Sequence, residues 1–290
     1  VAEREPGSTV AASVVASVPR PVVVLVPRRG WRGLGLHELW GWRELMWALV
    51  WRDIRSRYRQ TALGVLWALI RPVTTMAIFA FVLGRLARID ADGHPYALFT
   101  YAGLLAWGFF GSAVQAAALS VVGASSLVTK VYFPRLLLPL ASIGAATVDF
   151  VIALLVLLPL MLHYGVEPSW RLLLTPLVMA WVALASAGVG ILLAGLVVRY
   201  RDFGHAMSFL MQAWMYATPV LYPLSLLPES LRVWVFLNPM AAPVELFRWC
   251  VLGGDIFLPG CLLSAATMLL GLVLGLLVFQ RVERNFADVI

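Results

Sequence analysis

The chain carries a single lysine, Lys130, and it follows Thr129. A phosphate-binding P-loop needs Gly-Lys-Ser/Thr, whose backbone amides and lysine grip the β- and γ-phosphates. No such loop can be built here, so ATP-driven work would need another polypeptide. The histidines, His37, His94, His163 and His205, are scattered over loops and segment ends without HExxH or other metal spacing. A Gly-x-Ser-x-Gly elbow is also missing. Cys250 and Cys261 are too few for a disulfide framework and have no metal-ligand partners at usable spacing. Nothing in this set resembles an active site.

Two ionisable residues stand inside long apolar segments instead. Arg71 lies about 15 Å beyond Thr61 along a helix, and Asp149 is about 20 Å into its segment. Each costs about 2.5–3.5 kcal/mol if it faces lipid alone, so both must face protein or water. Their similar depth permits a mutual pair. A structural role with other partners fits better than a proton relay, for which no chain of titratable groups exists.

The elements that position them are set by lipid. Hydrophobic residues make up 61% of the 290 and charged ones 13%, with a mean hydropathy of +0.88. Soluble proteins run near 45–50% and 25%. An ordinary soluble enzyme, a disordered chain and a secreted disulfide scaffold are excluded. The net charge of +7 is arginine clustered near the N-terminus, which suits anionic lipid and not nucleic acid. Residues 1–36 read as a flexible cytosolic tail. Residues 37–60 carry Trp40, Leu45, Trp47, Ala48 and Trp51 at near-helical spacing, with arginines opposite. That is a helix lying in the headgroup plane, or else the first turns of a long first span.

Six spans are expected, at about 61–84, 97–121, 137–162, 172–197, 205–222 and 258–280, each near the roughly 20 residues a bilayer needs. The pieces 230–237 and 241–252 are too short to cross and are broken by Asn238-Pro239, Pro243 and Gly253-Gly254. They read as re-entrant elements within the segment 223–252. A crossing at 231–252 would make seven spans. Charge favours six: ten arginines in 1–60 with Lys130, Arg135, Arg199, Arg201, Arg281 and Arg284 fall on one side. Only Arg85, Arg88, Arg171, Arg232 and Arg248 fall on the other. The positive side is cytosolic, with both termini there.

The loop SSLVTKVYFPRLLLP (125–139) is then cytosolic. Its apolar and aromatic residues must be covered, by the bilayer surface or by a groove on a partner. Deep aromatics such as Trp67 and Trp214 would suit the apolar faces of sugar rings, or would simply pack.

Four stretches, WRDIRSRYRQTALGVLWALIRPVTTMAIFAFVLGRLA (51–87), LVTKVYFPRLLLPLAS (127–142), RYRDFGHAMSFLMQAWMYATPVLYPLSLLPE (199–229) and LNPMAAPVELFRW (237–249), resemble the membrane subunit of ABC-type polysaccharide exporters of O-antigen, capsule, teichoic acid and galactan. The resemblance covers about residues 31–290. It implies an all-α integral membrane protein with an N-terminal interface helix, six spans and two short re-entrant helices before the last. It implies a homodimer paired with two copies of an ABC-type ATPase, which bind ATP and Mg, in a bacterial cytoplasmic membrane. Residues 125–135 become the coupling helix, with Leu127, Lys130, Val131, Tyr132, Phe133 and Arg135 at the ATPase. The first and fifth spans line the path, with Trp67, Phe79, Trp214, Tyr216 and Tyr222 facing sugar. An undecaprenyl-diphosphate-linked glycan would load near Arg52, Arg55, Arg57 and Arg59. This chain then performs no covalent chemistry and needs no metal. The competing readings are a drug or small-lipid permease, and a membrane glycan transferase using Asp90, Asp92, His94 and Glu167.

Overall fold

Backbone groups in lipid have no water to bond, so a chain this apolar has to satisfy them within helices. A computed structural model describes residues 36–59 and 64–283, and helix is the only regular structure among them. The proposed N-terminal tail, apart from Leu36, lies outside the described residues. Twelve α-helices follow one another in that range: α1 Leu36–Gly41, α2 Arg43–Tyr58, α3 Leu66–Phe79, α4 Tyr96–Gly123, α5 Ser125–Lys130, α6 Leu137–Leu154, α7 Leu157–His163, α8 Thr175–Arg199, α9 Asp202–Ala217, α10 Glu229–Val235, α11 Ala241–Leu252 and α12 Leu258–Glu283. A π-helical stretch, Ala80–Leu86, prolongs α3, and a 3-10 turn, Trp170–Leu174, leads into α8.

Five helical segments are long and apolar enough to cross a bilayer: Leu66–Leu86, Tyr96–Gly123, Leu137–His163, Trp170–Arg199 and Leu258–Glu283. The expected fifth span is α9, whose 16 residues rise about 24 Å, short of a roughly 30 Å hydrocarbon core. Its end has a local cause. Thr218 precedes Pro219 and is extended, at φ −99° and ψ 143°, because the proline ring disfavours helix in the residue before it.

Helices α4 and α8 form the centre, flanked by α6 and α12. Small residues permit close approach at the α8–α12 crossing, as is common between helices in lipid. A Cβ on Gly188 would sit 2.7 Å from the Leu272 amide nitrogen, and one on Gly275 would strike the Gly188 carbonyl oxygen. Helix α2 lies along α6, where the Ser142 hydroxyl donates to Asp53 Oδ2 at 2.9 Å and Val50 packs over Gly144. The first span is almost unburied, whereas more than half of the second and fourth lies inside the chain.

The third span breaks between α6 and α7. The buried Tyr101 hydroxyl of α4 donates to the Ala153 carbonyl there at 2.7 Å. Tyr101→Phe is expected to cost about 1 kcal/mol, the worth of one buried hydrogen bond, read as lowered thermal stability in detergent.

Candidate functional site

Helices α2, α3, α4 and α6 enclose a groove of about 630 Å³. Trp67, Arg71 and Thr75, four residues apart on one face of α3, form one wall. Asp149 of α6 lies in another wall, and α2 supplies Arg57 and Tyr58. The Arg57 guanidinium pairs with Asp149 Oδ2, and the Tyr58 hydroxyl donates to Asp149 Oδ1. Burial, reinforced by that hydrogen bond, pushes the Tyr58 hydroxyl above its ordinary pKa. The similar depth of Arg71 and Asp149 therefore yields no mutual pair. Because α2 runs along α6, both carboxylate oxygens are already engaged. The segment carrying Arg71 lines the same groove from the opposite helix.

The four arginines assigned to a diphosphate are not equivalent. Arg52 pairs with Asp53 at 2.8 Å, and Arg55 stacks over Trp51 with its guanidinium carbon 5.3 Å from the ring centre. Arg57 is held by Asp149, and Arg59 is exposed just past the end of α2.

Of the five aromatics assigned to sugar, Trp67 alone lines the groove, and it is 45% exposed. Phe79 is half-buried against the core. Trp214 is turned inward: its ring meets Phe110 edge-on at 5.3 Å, and its indole N–H donates to Asn238 Oδ1 at 3.1 Å. Tyr216 is exposed on α9, with half-buried Tyr222 beyond its end.

The loop after the second span is divided in the same way. Lys130, Val131 and Tyr132 are exposed, Tyr132 by 65%, whereas Phe133 is 4% exposed and Leu127 packs on the core. Phe133 therefore anchors the loop to its own chain. Arg135 reaches Glu283 at the end of α12, its amide donating to Glu283 Oε1 at 3.3 Å.

Two residues at the opposite end of the bundle were not singled out for a role from the sequence. Arg248, counted there as an external charge, is 3% exposed. Its guanidinium bonds Glu245 Oε1 at 2.8 Å and the Val220 carbonyl at 2.5 Å, over the Phe99 ring at 3.6 Å. Asn238 joins the α9 end to the α10–α11 turn, its Nδ2 donating to Thr218 Oγ1 at 2.7 Å and its Oδ1 accepting from the Met240 amide at 3.0 Å. A usable signal existed for the first: a carboxylate three residues before an arginine in an apolar segment is a pair at helical spacing.

Residues 44–252 match the ABC-2 type transporter family. The chain belongs to that family. Among similar ABC-2 proteins, the O-antigen export system permease RfbA of Myxococcus xanthus is 34% identical over 209 residues, which cover 71% of this chain and 80% of that protein. RfbA of Klebsiella pneumoniae is 24% identical over 251 residues, 85% of this chain and 95% of its own length. The polysialic acid transport protein KpsM of Escherichia coli is 25% identical over 214 residues, covering 72% and 81%. The ABC-2 match spans α2 through α11, so it takes in the groove, the loop at Lys130 and the Arg248 cluster.

Proposed function

We propose that this ABC-2 chain is the membrane subunit of an ATP-driven exporter that moves a lipid-linked polysaccharide across a bacterial cytoplasmic membrane. The observation that carries this is its 34% identity to an O-antigen export permease over 80% of that protein. An exposed aromatic on the least buried span, in a mainly apolar groove that also holds Arg57, Arg71 and Asp149, supports it. The chain works as a homodimer with two copies of an ABC-type ATPase, which bind ATP and Mg. Six spans cross the membrane, α9 with the residues after it making the fifth, and both termini are cytosolic. Helix α2 is the interface helix, and α10 and α11 are the re-entrant pair. The glycan, carried on undecaprenyl diphosphate, loads near the arginines of α2 and passes along the first and fifth spans. ATPase closure reaches those spans through α5 and the exposed residues after it.

Affinity purification of the chain from its native membrane tests this. A stoichiometric ATPase is expected, and Lys130→Glu with Tyr132→Ala should weaken its binding about 30-fold or more, the loss of a central contact. Phe133→Ala is unsuitable as a docking probe because its ring is buried. A chain that emerges alone and binds no ATPase on reconstitution removes the exporter reading.

A further inference from the structure

The groove contains three charges, and only two are matched. Asp149 is taken by Arg57. Arg71 has no ion-pair or hydrogen-bond partner among the described residues, although it lines the same space. It stands about 8 Å into the Leu66–Leu86 span and is exposed to the groove. Among the described residues, Asp149 is the one carboxylate that lines the groove. Of the five segments long enough to cross, only Leu137–His163 holds a carboxylate away from its end, and that is Asp149. A second copy of the chain brings the same set, with its own Asp149 equally engaged.

Arg71 is therefore left open to a counter-charge from a molecule that enters the groove. The surroundings of Arg71 describe what it accepts. Trp67 stands one turn before it and presents an exposed indole, and Thr75 stands one turn after it with a hydroxyl. An indole face takes an apolar sugar face, a hydroxyl takes a sugar hydroxyl, and a guanidinium takes a carboxylate or phosphate with two parallel hydrogen bonds.

We propose that Arg71 is the anion-selecting residue of the groove: it holds an oxyanion, carboxylate or phosphate, of the transported molecule while Trp67 holds the adjoining ring. This rests on the export reading above and narrows it to substrates that carry negative charge at the groove. The anion has two sources of the same chemistry, acidic sugars of the glycan or the diphosphate of its carrier.

Full-length chain in phosphatidylcholine nanodiscs is titrated with hexagalacturonate against maltohexaose, a neutral oligomer of equal length, and with undecaprenyl diphosphate against undecaprenol. Wild type should bind at least one anionic probe about tenfold more tightly than its neutral counterpart, the worth of one charge-assisted contact. Arg71→Gln should abolish that preference, and its retained maltohexaose binding shows that the groove is folded. Arg71→Lys should keep part of the preference, and added salt should erase it. Dependence of hexagalacturonate binding on Arg71 identifies the glycan as the source, and dependence of undecaprenyl diphosphate binding alone identifies the carrier. An unchanged preference in Arg71→Gln overturns the assignment and leaves the export reading standing. So does loss of the wild-type difference only on adding phosphatidylglycerol, which would make Arg71 a lipid anchor. Absence of binding by any probe to wild type overturns the assignment, while the export reading stands or falls on the ATPase co-purification above.

Discussion

Arg248→Met is expected to destabilise the chain by about 2–3 kcal/mol, the cost of losing the charge-assisted hydrogen bonds of a buried guanidinium. The side chain is 3% exposed and joins three separate pieces of backbone. It sits on α11, bonds the Val220 carbonyl after α9, and covers the Phe99 ring near the start of α4. Tyr96 fastens the same stretch, its hydroxyl donating to the Leu221 carbonyl at 2.5 Å. Glu245, whose side chain is 28% exposed, would be left without its cation. The readout is thermal unfolding of purified protein in detergent. The double variant Arg248→Met with Glu245→Leu should recover a large part of the loss, since an apolar pair of similar volume removes both desolvation costs. Wild-type stability in the single variant would show that the cluster bears no weight.

Gly188→Ala and Gly275→Ala should each lose about 1–3 kcal/mol, the cost of overpacking a tight contact, and Gly188→Val should lose more. The added methyl group meets backbone of the facing helix, which cannot rotate away as a side chain could. Gly271 is the informative control. It lies on α12 four residues before Gly275, yet a Cβ there meets nothing within 4 Å. Gly271→Ala should therefore leave stability unchanged or slightly raised, since alanine favours helix over glycine. Size-exclusion profiles and melting temperatures in one detergent separate the three. Equal losses at all three glycines would mean that backbone contact at the crossing does not set their effect.

A membrane fold was legible at once. Five of the expected spans correspond to helices long enough to cross, because a run of about twenty apolar residues has few other stable outcomes in lipid. The short pieces before the last span appear as α10 and α11, with proline and glycine marking their ends. The fifth span was read longer than its helix, since hydropathy continues through Thr218-Pro219 while backbone geometry does not.

Side-chain partnership is where reading along the chain stops. Arg52, Arg55, Arg57 and Arg59 look alike in sequence, yet one pairs with a neighbour, one stacks on tryptophan and one is tied to a carboxylate 92 residues away. Lys130, Tyr132 and Phe133 share one short loop, and only the packing around it turns Phe133 inward.

Composition and the order of apolar runs by themselves determined a helical membrane chain, and the missing Gly-Lys-Ser/Thr motif set the expectation of a partner ATPase. Those properties depend on local sums of hydropathy and on motifs a few residues long. Which arginine is matched and which is not was decided only by tertiary structure. A charge in a low-dielectric interior is governed by neighbours within a few ångströms, and those neighbours come from helices far apart in sequence. Arg71 and Asp149 show the difference: their depth was readable, but the placement of α2 beside α6 determined that Asp149 is occupied and Arg71 is not.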